Sequence, residues 1–243
     1  MSRRNVCIIS QLALMMVCGF VLTIASCKKS PSQAPQPPSV QPAGDLEPIT
    51  IVLPKPVFIG TPEKVVGITN LEKPLGKPRD PFYAPKGTTN VASKKPVTSS
   101  DEQPIIGELS MVTDGDKEAA DGSYVELGPS KQHITIDLGG SFNIYAIVVW
   151  HYHKQARVYK DVIVQVADDA DFITNVRTVF NNDNDNTLGL GAGTNMNYVE
   201  TAEGKLIDAK GVIARYVRCY SNGSSANDLN NYIEVEVYGT PAK

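Results

Sequence analysis

The chain has 243 residues, 20% of them charged, and a net charge of −3. That balance supplies no basic face and excludes a nucleic-acid partner. Three of the four cysteines precede residue 28, which leaves no pair for an internal disulfide framework.

At the N-terminus Arg3 and Arg4 precede an apolar run from Val6 to about Ala25, the basic and hydrophobic regions of a secretory signal. The run closes on Ile24-Ala25-Ser26-Cys27, which resembles a bacterial lipobox. Residues 1–27 are therefore expected to be a lipoprotein signal peptide, with Cys27 as the lipidated residue. An uncleaved transmembrane anchor is the rival reading, because the run is nearly long enough to span a bilayer. Lys28-Lys29 and a Pro-rich stretch directly after Cys27 favour the lipobox. The resemblance implies an exported bacterial protein that meets the membrane only through its lipid anchor. Lys28 after the cysteine resembles the sorting pattern of the outer membrane.

Residues 28–88 read as a tether. Thirteen of the 17 prolines lie between Lys28 and Asn90, in stretches such as "PSQAPQPPSVQP" that favour extended backbone and bury no core. The more apolar "ITIVLPKPVFIGTP" is expected to lie as a strap on the following domain.

Within Ser110–Gly122 the acidic side chains Asp114, Asp116, Glu118 and Asp121 crowd eight positions. Asp-Gly pairs make turns, and clustered carboxylates bind hard cations; the stretch alone allows both. Strand patterns follow: "HITIDLGG", "YAIVVWHYH", "VYKDVIVQVADD", "NVRTVFNN", "ARYVRCY" and "YIEVEVYG", each rich in β-branched or aromatic residues and bounded by Gly, Asn or Asp. The second and third are expected to pair as a hairpin across "KQAR". No segment keeps a helical period, so residues 89–240 are expected to form an all-β, antiparallel sandwich. Cys219, inside a strand pattern, is expected to be a small buried hydrophobe. Asn181–Gly193 reads as a long Asn/Gly-rich surface loop, since the sixth-position Gly and closing Glu of an EF-hand are missing.

Taken in order, "NVASKKPVTSS", "VTDGD", "ITIDLGG", "IYAIVVW", "YKDVIVQVADDADF", "ARYVRCY" and "IEVEVYG" resemble the discoidin, or coagulation factor 5/8 type C, domain. This is the galactose-binding-like jelly roll, related to family 32 carbohydrate-binding modules. The terminal cysteine pair and apolar loop tips of the lipid-reading members are absent. The resemblance implies a structural Ca²⁺ in the acidic loop. Its ligands would be the Met111 carbonyl, Asp114, Asp116, the Ala119 carbonyl, the Ile233 carbonyl and Glu234. It also implies a binding rim of loops at one end of the sandwich. "WHYHKQAR" offers Trp150, His151, Tyr152, His153 and Arg157, and "SNGSSANDLNNY" offers Asn222, Asn227 and Asn230. Trp150 alternates with Val148 and Ala146, which also fits a core position. His151 and His153 share one side of a strand, without an evident third metal ligand.

No nucleophile elbow, zinc-protease motif or phosphate loop occurs, so catalysis is not expected. The expected function is a membrane-anchored, non-catalytic module that recognises carbohydrate or cell-envelope glycan. The alternative is a scaffold domain that binds an envelope protein.

Overall fold

A computed structural model describes residues 45–56, 65 and 67–243. The expected signal peptide, Cys27 and the first part of the tether lie outside the described residues.

Two long strands generate the architecture. Strand β6 (Gln132–His151) is 20 residues long and β9 (Lys205–Ser221) is 17. The Gly139-Gly140 break expected to end a strand instead bends one: Gly139 takes φ +81°, and the pairing of β6 with β9 shifts register between Asp137 and Phe142. Before the bend β6 pairs with β4 (Val97–Ser99) and with the C-terminal half of β9. After it, β6 pairs with β10 (Asn230–Pro241) and with the N-terminal half of β9. Both strands thus pass from one layer to the other, and the hydrogen-bonded sheet folds over its own core. The remaining members are β3 (Thr89–Asn90), β5 (Val125–Leu127), β7 (Ile163–Ala167) and β8 (Arg177–Asn181). The sheet has eight strands in the order β3-β10-β6-β9-β7-β8, with β4 and β5 paired to β6 and β10. Every pairing of these strands is antiparallel. The all-β jelly-roll sandwich expected from the sequence is present.

The expected hairpin between "YAIVVWHYH" and "VYKDVIVQVADD" is not. Strand β7 pairs with β8 and β9, and β6 has no pairing with it. Arg157 to Asp161 instead bond to the loop after β9: Ser225 N–H donates to the Val158 carbonyl and Asn222 N–H to that of Lys160.

Ile147, Val149, Val235 and Val237 face the inter-sheet core, where they join Ile134, Ile136, Val164, Val217 and Cys219 without measurable exposure. Cys219 is buried as expected, and burial pushes its thiol up to about 12. Ala146, Val148 and Trp150 pair with Tyr238, Glu236 and Glu234 on the other face of the same two strands. That face is covered too, which is why the run reads as continuously apolar. Part of the cover is the segment read as tether. Strand β1 (Leu46–Pro48) pairs with β2 (Tyr83–Pro85), the Ile49 amide donates to the Phe82 carbonyl, and the Tyr238 hydroxyl donates to the Thr50 carbonyl. Further along, the Glu72 N–H donates to the Asn197 carbonyl and the Asn197 N–H to that of Asn70, and Arg79 Nη1 donates to the carbonyls of Glu203 (3.1 Å) and Gly204 (3.0 Å). Within the expected tether, residues 46–50 and 82–85, with Thr69, Asn70, Glu72 and Arg79, are thus bonded to one another or to the sandwich. The prolines kept these segments from forming long strands but left them carbonyls and side chains to bond with.

Candidate functional site

The acidic loop follows a short 3-10 helix, Leu109–Thr113. Asp114 Oδ1 accepts the Asp116 N–H at 2.8 Å and Asp116 Oδ1 accepts the Glu118 N–H at 2.9 Å, two successive Asx turns. Beneath them Glu234 is fully buried on β10. Its Oε2 accepts the Gly115 N–H at 3.2 Å, while Oε1 is buried without a partner among the described residues. Burial pushes its carboxyl up to about 9, and Glu236 and Asp114 add to the rise. A buried carboxylate oxygen with nothing to bond is costly unless a cation or proton satisfies it. Met111, Ala119 and Ile233 lie in the segments that would supply carbonyls. The three carboxylates Asp114, Asp116 and Glu234 do not converge as one cluster; among the described residues only Asp161, Asp183 and Asp185 do.

That second cluster serves its loop. Asp183 is buried and accepts the N–H groups of Thr187 and Leu188, each at 2.9 Å, while Asp185 accepts from Thr187. The loop reading of Asn181–Gly193 is consistent with this arrangement.

Several residues expected at the rim are buried instead. Trp150 has no exposure; its Nε1 donates to the Ala202 carbonyl at 3.0 Å, and its ring lies against Gly204. It is a core residue of the covered face. His151 is fully buried, with Nδ1 2.6 Å from Glu200 Oε1, and His153 is buried with Nε2 3.0 Å from the Lys117 carbonyl. The two histidines bond to different elements and do not form a metal grip. Asn230 is also interior. Its Oδ1 accepts from Gly223 N–H and Ser221 Oγ, and its Nδ2 donates to the carbonyls of Gly128 and Ser130, so all its bonding capacity goes to joining three chain segments. Asn222 donates to Asp161 Oδ2 at 2.8 Å, on the side of the second acidic cluster. Asn227 is exposed on the loop that bonds back to Val158.

Tyr152 is buried in the core as well, not exposed on the rim, and Arg157 meets it there. The guanidinium of Arg157, half-buried, lies 4.5 Å over the Tyr152 ring. Its Nη1 donates to Asn231 Oδ1 at 3.3 Å and its Nη2 to Gln155 Oε1 at 3.4 Å. No carboxylate lies within ion-pair distance of it among the described residues. Tyr124 and Tyr152 meet in a T-shaped contact with centroids 5.1 Å apart. Asn231 Nδ2 donates to Glu126 Oε2 at 2.8 Å, and Lys154 pairs with Asp121 close by. The ends of β5, β6 and β10 are in register here, since Glu126 pairs with Asn231 and Tyr232 with His151. Burial, then the Glu126 carboxylate, raise the Tyr124 hydroxyl above its usual range. Tyr124, Glu126 and Asn231 were missed in the sequence. The available signals were a tyrosine at the close of the acidic loop and a second asparagine beside Asn230. The half-buried Tyr124, Arg157 and Glu126 put an aromatic ring, a cation with unused donors and a carboxylate at this surface, with the buried Tyr152 and Asn231 behind them, and hydroxyl-rich ligands require such groups.

No protein-family model matches the chain, and no curated protein matches it. Among solved structures it is similar to the family 89 glycoside hydrolase from Clostridium perfringens in complex with 2-acetamido-1,2-dideoxynojirmycin, at 20% identity over 63% of this chain and a TM-score of 0.46. The chain spans 15% of that hydrolase's length. It is also similar to a Streptococcus pneumoniae fucose-binding module, at 18% identity and a TM-score of 0.43, over 62% of this chain and 97% of that one. A third is chitosan-binding module 1 from a Paenibacillus sp. IK-5 chitosanase/glucanase, at 21% identity and a TM-score of 0.41, over 62% and 99%. The fold and site define an antiparallel jelly-roll sandwich with a polar, aromatic rim at one end.

Proposed function

We propose that this sandwich is a non-catalytic carbohydrate-binding module, with its ligand on the rim formed by Tyr124, Tyr152, Arg157, Glu126 and Asn231. The observation that carries the reading is Arg157: a half-buried cation over an aromatic ring, with spare N–H donors and no carboxylate partner among the described residues. A sugar hydroxyl accepts from such a donor while its neighbour donates to Glu126, and the half-buried Tyr124 offers an aromatic face to the C–H groups of the sugar ring. A glycan-array screen of the purified protein tests this. Binding to at least one glycan, weakened at least tenfold in Arg157→Ala and in Tyr124→Ala, is the expected result. A wild-type protein that binds none, yet captures an envelope protein in a pull-down, would replace the reading with the scaffold alternative.

Ca²⁺ belongs to the same proposal as a structural ion. Glu234 and Asp114, with Asp116 and the carbonyls of Met111, Ala119 and Ile233, would hold it, and its role would be to tie the acidic loop to β10. The sequence Ile24–Cys27 supports a lipid anchor at Cys27, and Lys28 after it supports placement on the outer membrane. A lipid-dependent mass shift that disappears in Cys27→Ser is the test for the anchor, and membrane fractionation for the placement.

A further inference from the structure

Behind the rim runs a series of side chains that a ligand on the surface does not touch. Glu200 and His151 are buried, with Glu200 Oε1 2.6 Å from His151 Nδ1. The His151 imidazole stacks on the Tyr159 ring, centroids 4.3 Å apart and planes 18° from parallel. Tyr232 flanks the same imidazole at 4.8 Å. The Tyr159 hydroxyl donates to Asn231 Oδ1 at 2.9 Å, the oxygen that also accepts Arg157 Nη1. Glu200 closes the series from the other side, since its backbone N–H donates to the Arg157 carbonyl at 2.8 Å.

Arg157 is poorly held by its own bonds. Both are long, at 3.3 and 3.4 Å, and its Nε is buried without a partner. An arginine left to itself would lose substantial rotamer freedom on gripping a ligand. The Asn231 amide limits that loss, because only one of its two orientations satisfies every neighbour. Oδ1 must face the Tyr159 and Arg157 donors, and Nδ2 must face Glu126. The cluster behind it is an expensive way to build a core: His151 Nε2, Glu200 Oε2 and Tyr198 Oη are also buried without protein partners. Buried polar atoms in that state cost stability, and buried ion pairs are weak stabilisers, so the arrangement points to a geometric role.

We infer that Glu200 and His151 are positioning residues for the rim. The pair fixes the Tyr159 ring, the Tyr159 hydroxyl fixes the Asn231 amide, and the amide holds Arg157 on one side and Glu126 on the other. The inference rests on the glycan-binding reading of the rim, and two readouts separate the two.

The first is the order of the Arg157 Nε–H group in the free protein, measured by ¹⁵N relaxation. The second is affinity for whichever array glycan the wild type binds. Tyr159→Phe removes one hydroxyl and keeps the stacked ring; Glu200→Gln and His151→Gln alter the pair itself. Each variant that melts cooperatively should show a more mobile Arg157 Nε–H and an affinity lowered about three- to tenfold, the loss of roughly one hydrogen bond's worth of ordering. Tyr159→Phe keeps the test decisive if the other two do not fold. Unchanged Arg157 order in Tyr159→Phe overturns the inference, whatever the glycan result. Loosened Arg157 in a protein whose wild type binds no glycan upholds the positioning series and overturns the glycan reading.

Discussion

Lys117 Nζ lies 2.7 Å from Glu236 Oε1, and both side chains are buried between β10 and the acidic loop. Lys117 also sits 5.4 Å over the Trp150 ring, so one ammonium links the loop, the last strand and the covered face of β6. Glu234 lies two residues along the same face of β10, which makes Lys117 the cation nearest two buried carboxylates. Removing it alone leaves Glu236 without its charge partner. Lys117→Met is expected to destabilise the protein by about 3–5 kcal/mol, and Lys117→Met/Glu236→Gln by clearly less. Chemical denaturation of both variants measures this. Equal losses would mean that the pair contributes only its packing.

The orphan oxygen of Glu234 gives a prediction about metal. A cation bound only by the folded state raises stability by mass action. Added Ca²⁺ should raise the melting temperature of chelator-treated protein, and Glu234→Gln should abolish the rise while leaving the fold intact. A wild-type melt indifferent to both chelator and Ca²⁺ would leave the loop as a pair of Asx turns over a protonated acid.

Acid sensitivity should come in part from His133. Burial, then the neighbouring Arg218 and Lys131, push its imidazole down to about 4 from an ordinary 6.5. The unfolded chain therefore takes up a proton below pH 6.5 that the folded chain refuses until about pH 4. The stability contribution is complete above pH 6.5 and is lost as the pH falls through that window. Urea midpoints measured from pH 7.5 to 4.5 should decline, and the decline should be shallower in His133→Gln. Parallel curves for the two proteins would rule His133 out.

Gly204 predicts a steric result. It takes φ +64°, and a Cβ added there would lie 2.6 Å from Trp150 Cε2. Gly204→Ala should cost roughly 2 kcal/mol or more through overpacking and an unfavourable backbone conformation, read as a lowered melting temperature. Trp150 fluorescence should shift with it. A neutral substitution would show that the 201–204 turn moves aside freely.

The strap predicts a difference between truncations. Ile49, Ile51 and Phe82 pack on the main core. A protein lacking residues 1–88 should therefore melt below one lacking only 1–44, since the longer cut exposes that apolar surface. Equal melting temperatures would return the segment to the status of tether.

The strands were legible because β-branched runs bounded by Gly and Asn leave few other solutions, and Cys219 was legible because it lies inside one of those strand patterns with no second cysteine to pair with. Pairing was not, because β6 and β7 are neighbours in sequence but find their partners through register with β9. The rim was half legible. Period-two alternation assigns residues to faces of a strand and so fitted Trp150 to the core, yet both faces of β6 are covered, so alternation could not mark His151 as buried. Asn230 and Asn231 are adjacent and chemically identical; one fills its bonding capacity with chain carbonyls and the other turns toward Arg157. Only the fold distinguishes them.

The return of the chain from β1 to β2 has a mechanical side. The two strands close a loop of 34 residues between Pro48 and Tyr83. A pull arriving from the N-terminal side meets three residue pairs of β1 and β2 before it reaches the sandwich. Once those part and the bonds of Arg79 and Glu72 follow, the chain can lengthen by roughly 110 Å at about 3.3 Å per residue. The strap would then act as a shock absorber, yielding at low load and re-forming when slack returns, while the rim on the far strand ends keeps its shape and its grip.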